Sequence, residues 1–166
     1  MRNLIPMALL VISTAIPAYA ANTSQPTKDF IKNAAIGSRF EIESSQLAVE
    51  KSDNNDIKTF AQKMIDDHTK AANQMKDAMN SANLDSTLLP QDMDSKHSGM
   101  MDKLKAATGP AFNQMYVADQ NAAHTEAVQL FTQYSKNGDN PVMKDYAAKT
   151  LPTLEQHKKH AEELKP

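Results

Sequence analysis

Apolar residues recur at steps of three and four over four long stretches of the chain, the period of an amphipathic helix. No segment alternates Val, Ile or aromatics every second residue as a strand does, so the pattern predicts an all-α protein. In the first stretch Phe30, Ala34, Gly37, Glu41, Ser45 and Ala48 share a stripe, with Ile31, Ile42, Leu47 and Val49 at its edges. This helix is expected from near Thr27, whose hydroxyl is placed to cap it, to about Lys51. The second stretch carries Ile57, Ala61, Met64, His68, Ala71, Met75 and Met79 to about Ala82, with Asp53 as its expected N-cap and Asp56 in its first turn. In the third, His124 sits among Phe112, Tyr116, Ala127, Leu130, Phe131 and Tyr134. The fourth follows a 4-3-4-3 spacing through Met143, Ala147, Thr150, Leu154, His157, Ala161 and Leu164.

Breaks between these stretches set the connections. Ser52 to Asp56 is short and polar, which makes the first two helices an antiparallel hairpin. Gly138 closes the third helix, Asp139 or Asn140 caps the fourth, and Pro110 and Pro141 occupy first turns. Pro152 falls inside the fourth helix and predicts a kink there. Asn83 to Gly109 reads as a long crossover with a turn at Leu88-Leu89-Pro90 and a short extra helix capped by Asp92 or Asp94. The predicted architecture is a four-helix bundle with that crossover between helices two and three.

The opening of the chain has a different pattern. A positive Met1-Arg2-Asn3, an apolar run from Leu4 to Ile16 and the small-residue site Ala18-Tyr19-Ala20 predict a signal peptide over 1–20. The run is short for a membrane span, and no cysteine follows it for lipid attachment. Residues 21–27, with Pro26, then read as a flexible leader, and 28–166 as one bundle domain in the periplasm or cell envelope, with no transmembrane segment after cleavage. The chain holds 18 Lys and Arg against 20 Asp and Glu, and losing Arg2 makes the net charge of −2 one unit more negative. That balance offers no electrostatic footprint for nucleic acid. With 0 cysteines there are no disulfides and no thiol chemistry, so helix packing must supply the stability.

The candidate chemistry lies on the apolar stripes themselves. Glu41, His68, His124 and His157 each fall among core positions, one per long helix. At about 1.5 Å per residue, Glu41 and His68 lie roughly 17 and 24 Å from the first turn, and His124 and His157 roughly 21 and 28 Å from the turn near 138. All four are therefore near mid-bundle. One reading is a buried hydrogen-bond network in which Glu41 accepts from a histidine and water fills the rest. The other is a single divalent metal site, three imidazoles and a carboxylate suiting zinc, iron or copper, with Asp67, Asp119 and Glu155 available to accept from the second ring nitrogens. A di-iron centre of the Glu-x-x-His type is disfavoured, because Ile65, Asn121 and Leu154 precede the three histidines by three residues. Met93, His97, Met100 and Met101 also share a helical face, which reads as a packing surface, with soft copper ligands or an exposed partner-binding patch as the alternatives. No Ser-His-Asp arrangement or phosphate-binding glycine loop is present.

Phe30, Ala34, Glu41-Ile42 and Leu47-Ala48, then Ile57-Lys58-Thr59-Phe60-Ala61 and Met64-Ile65-Asp66-Asp67-His68-Thr69, resemble the opening of a bacterial domain-of-unknown-function family. Phe112, Tyr116, His124, Val128 and Phe131, then Leu151-Pro152-Thr153-Leu154, His157 and Ala161, extend the likeness over nearly all of the chain beyond the leader. Its members are secreted, ferritin-like four-helix proteins often labelled outer membrane proteins, although nothing here alternates as a membrane strand would. Asn113 stands where the resemblance implies Asp. The resemblance implies a ferritin-like fold, an envelope location and core polar positions at Glu41, His68, His124 and His157, and no particular reaction. On sequence the leading expectation is an exported, non-enzymatic structural or stress-related bundle with an envelope protein as partner; the alternative is a periplasmic metal-binding or redox protein using the His/Glu cluster.

Overall fold

The computed structural model describes residues 23–166. The expected signal peptide and the start of the leader lie outside the described residues. Within them are five α-helices, α1 (Gln25–Lys51), α2 (Asn55–Ser81), α3 (Ser95–Ala106), α4 (Gly109–Asn137) and α5 (Pro141–Glu163), a 3-10 turn at Ser86–Leu88, and no strand. None of the helices is long and apolar enough to cross a membrane. The four long helices pack as two sequential pairs, α1 on α2 and α4 on α5, and α1 also contacts α4 while α2 contacts α5.

The helix ends follow from side chains that satisfy the otherwise unpaired first amides. Ser24 caps α1, its hydroxyl accepting from the Thr27 amide at 3.3 Å, so the helix starts before Thr27 and takes in residues assigned to the leader. Thr27 is buried instead, its Oγ1 bonded to the Tyr134 hydroxyl at 2.6 Å and to Asp139 at 2.7 Å, which ties the start of α1 to the α4–α5 turn. The cap of α2 is Asn54, accepting from Asp56 and Ile57, and not Asp53. Asp53 accepts from the Asn113 side-chain amide at 3.1 Å, while Asn113 accepts from the Ser52 hydroxyl at 2.8 Å. An aspartate at 113 has no hydrogen to give Asp53, so the asparagine suits this neighbour. Asp94 caps α3 and Asn140 caps α5, whose helix runs on through exposed Pro152.

The crossover is packed rather than loose. Met101 and Leu104 of α3 are buried, Met93 and Met100 lie against the same cluster, and Phe40 of α1 is fully buried beside the His97 ring. The methionines therefore pack on the core, as the packing alternative requires, and do not form an exposed patch. Arg39 donates to the Pro90 and Gln91 carbonyls, and Lys51 donates to the carbonyls of Leu104 and Lys105, fastening both ends of the crossover to α1.

Two apolar clusters make up the core. One gathers Phe40, Ile57, Phe60, Met64, Phe112 and Tyr116; the other gathers Phe30, Met75, Phe131, Tyr134, Met143 and Leu154. Along α2, α4 and α5 the histidines at 68, 124 and 157 fall between the two sets, and Glu41 occupies the corresponding level on α1. A polar layer therefore divides the hydrophobic interior.

Candidate metal centre

Four long helices each contribute one residue to this layer. Glu41, His68, His124 and His157 are 3%, 6%, 0% and 2% exposed, so each polar group has left water and must find another partner. The rings of His68, His124 and His157 stand 5.5 to 5.8 Å apart centre to centre. One nitrogen from each ring lies within 4.8 Å of the other two. The layer is more level than counting from the turns implies, because turn residues add to the count without adding helical rise.

The hydrogen bonds fix which nitrogen carries a proton. His124 Nδ1 is 2.9 Å from the Gln120 carbonyl, which can only accept, so Nδ1 holds the hydrogen and Nε2 the lone pair. His157 Nε2 is 2.8 Å from Asp67 Oδ2 and donates to it, leaving Nδ1 as the lone-pair atom. His124 Nε2, His157 Nδ1 and His68 Nε2 are then buried with no hydrogen-bond partner. In each anchored ring the far nitrogen is tethered and the near one free, the arrangement that orients histidine toward a metal. Phe60, 6.3 Å from the His124 ring and edge-on to it, bounds the layer on its first-cluster side.

No hydrogen bond joins any two of the four residues. Glu41 Oε1 comes to 3.6 Å of His124 Nδ1, too far for a hydrogen bond, and that proton is committed to Gln120. Both Glu41 oxygens lack partners. The direct bond from a histidine to Glu41 expected in the first sequence reading is therefore absent, the nearest approach being this 3.6 Å. Nearby, Gln120 donates to Ser44 at 3.1 Å, and Ser45 pairs with the Tyr116 hydroxyl at 2.9 Å.

Burial sets the charges. It pushes the Glu41 carboxyl up to about 8; the Gln120 amide, which lies close enough to favour the ionised form although its hydrogen bond goes to Ser44, opposes this, and Asp119 adds to the rise. It lowers His124 to about 4, against the bond to Gln120, and His157 adds to the fall. Burial also holds His68 well below the ordinary histidine value, helped by repulsion from its two neighbours, and lowers His157 despite the pull of Asp67. Three neutral imidazoles at neutral pH are three lone pairs ready to coordinate. For Asp67, burial acts to raise the carboxyl, but bonds from Lys63 and His157 outweigh it and hold it below the usual range.

Of the carboxylates expected to support the rings, Asp67 does so, for His157 across the α2–α5 contact rather than for its neighbour His68. Asp119 and Glu155 bond to no histidine. Glu155 is exposed, two positions before His157 and hence round the far side of α5, and half-buried Asp119 is five positions before His124. The role of Gln120 was missed, although it sits four residues before His124, where a carbonyl on the same face can reach an imidazole.

An all-helical protein with a buried three-histidine layer is the class these features define. The chain belongs to the family described as Domain of unknown function (DUF4142), whose model matches residues 13–164, in keeping with the resemblance to a bacterial family of that kind. No curated protein and no solved structure matches the chain.

Proposed function

We propose that this protein is an exported, ferritin-like four-helix bundle that binds one divalent metal ion on His68, His124 and His157, with Glu41 as the adjoining carboxylate. The observation that carries the reading is that three buried histidines each bring a ring nitrogen within 4.8 Å of the other two and that each also keeps one buried ring nitrogen without a hydrogen-bond partner. Left without a partner, each costs about 1–3 kcal/mol, and a single ion satisfies all three. Around a tetrahedral ion with bonds of about 2.1 Å the nitrogens sit about 3.4 Å apart, so loading draws the rings together by small side-chain movements. Imidazole and carboxylate without thiolate suit zinc, iron or copper, and such a set leaves a position for a further ligand. With Asp67 engaged by His157 and Lys63, Glu41 is the one carboxylate within the layer itself, which supports a mononuclear centre rather than a di-iron one. The export half of the proposal rests on the apolar opening and the Ala18-Tyr19-Ala20 site.

Metal analysis of protein purified without chelator or affinity tag, together with thermal unfolding, tests the reading. Near-stoichiometric metal is expected, and the right ion at about a hundred times its dissociation constant should raise the Tm by roughly 5–10 °C. His124→Ala should abolish that gain, and Asp67→Asn should weaken binding by about 10–100-fold through loss of the His157 anchor. Protein that retains no metal, and gains no stability from zinc, iron(II) or copper, refutes it.

A further inference from the structure

The polar layer is reached from one side. A cavity of about 700 Å³ lies against it, within the range of small-molecule sites, and of the four layer residues Glu41 and His68 line it while His124 and His157 do not. The wall is otherwise largely apolar, with Ile36, Met75, Leu130, Phe131 and Leu154, and it extends to exposed Asn33 and Lys76, where it meets solvent. Several other polar groups along it are engaged. The Tyr146 hydroxyl donates to the Ala71 carbonyl at 3.1 Å, and Thr150 Oγ1 to the Tyr146 carbonyl at 2.9 Å. Lys96 pairs with Glu126 at 2.6 Å, His97 with Asp94 at 2.7 Å, and Arg39 holds two crossover carbonyls. The buried polar atoms left without partners, Glu41 Oε1 and Oε2 and His68 Nε2, are at the layer. The cavity thus has a mainly apolar wall, polar side chains such as Glu43, Gln46 and Lys76 toward solvent, and buried unpartnered polar atoms on Glu41 and His68.

Charge selects what fits there. A divalent ion on three neutral imidazoles carries two positive charges, and an ionised Glu41 removes one. The remaining charge against an apolar wall is costly unless an anion neutralises it. We infer that the cavity binds a small monocarboxylate with a hydrocarbon body, its carboxylate at the Glu41 and His68 end on the ion and its chain along the apolar wall. The inference rests on the metal reading above.

Cobalt(II) serves as the spectroscopic probe. The cobalt-loaded protein is titrated with octanoate and with acetate while its visible spectrum is recorded. Octanoate should perturb the spectrum at a concentration about ten-fold or more below that of acetate, because each methylene removed from water strengthens binding. Ala127→Phe, which places a ring in the wall, should erase that preference while the cobalt spectrum and the cobalt-dependent Tm rise persist. Ala72→Leu, on the α2 side of the wall, replaces it if the larger side chain prevents folding. Equal action of the two acids, no spectral response to either, or an unchanged preference in the plugged variant overturns the inference and leaves the metal reading standing. A folded wild-type protein that takes up no cobalt overturns both.

Discussion

Glu41→Gln separates the stability of the fold from its proposed chemistry. Burial keeps the Glu41 carboxyl neutral up to about 8, whereas in the unfolded chain it ionises at its ordinary value of 4.5. Below 4.5 both states hold the proton and the residue carries no pH-linked cost. As pH rises the unfolded chain releases it first, so the folded state is progressively disfavoured until about 8, above which the cost is constant. At about 1.4 kcal/mol per pH unit, the full penalty approaches about 5 kcal/mol, of which about 3 is already present at neutral pH. Glutamine keeps the shape and cannot ionise. An unpaired amide costs something of its own, but that cost does not change with pH. The measurement is urea unfolding of chelator-treated wild type and Glu41→Gln at about pH 5 and about pH 8.5. The variant's stability relative to wild type should grow by about 4 kcal/mol across that interval. The same variant should bind metal more weakly, having lost the carboxylate. If the two stability profiles run parallel to within about 1 kcal/mol, Glu41 is ionised in the folded state and the electrostatic account of the layer fails.

Acid should act through the histidines in the opposite direction. His124 is held neutral down to about 4, while in the unfolded chain it takes a proton near 6.5, so its contribution is intact above 6.5 and is lost as pH falls toward 4, by about 3 kcal/mol. In metal-free protein, His124→Leu should flatten this acid decline of the urea midpoint; an unchanged slope contradicts the assignment. Phe40→Ala should cost about 3–5 kcal/mol, since the ring is fully buried between α1 and the crossover, and should expose α3 to proteolysis first. A loss under about 1 kcal/mol would mean that α3 is not held by this contact.

The four layer residues were legible because a titratable side chain on an apolar stripe stands out against its neighbours. The two hairpins and the short helix in the crossover were legible from periodicity and from Asx, Gly and Pro at the breaks. Phe40 and Ile36 were not placed in the core, because a single stripe was traced on the first helix while the crossover covers a second face of it. Asp53 and Asn54 offer the same capping chemistry one residue apart, and the choice is made by Asn113, sixty residues away, which occupies Asp53. Asp67 illustrates the same limit: its sequence neighbour is His68 and its partner is His157. Such pairings depend on how two helices are rotated about each other, and periodicity within one helix carries no record of that.

Each long helix supplies one member of the layer, and this bears on when the centre comes into being. A chain with one hairpin folded holds at most half of the donor set, and the last donor, His157, lies on the last helix. On the function proposed above, metal capture is a late event, possible only after both hairpins have docked. The proposal then implies that the identity of the ion is decided by what is available where folding finishes, not where the chain is made. If the chain is exported as proposed and folds after crossing a membrane, the proposed site selects its metal by place as much as by affinity.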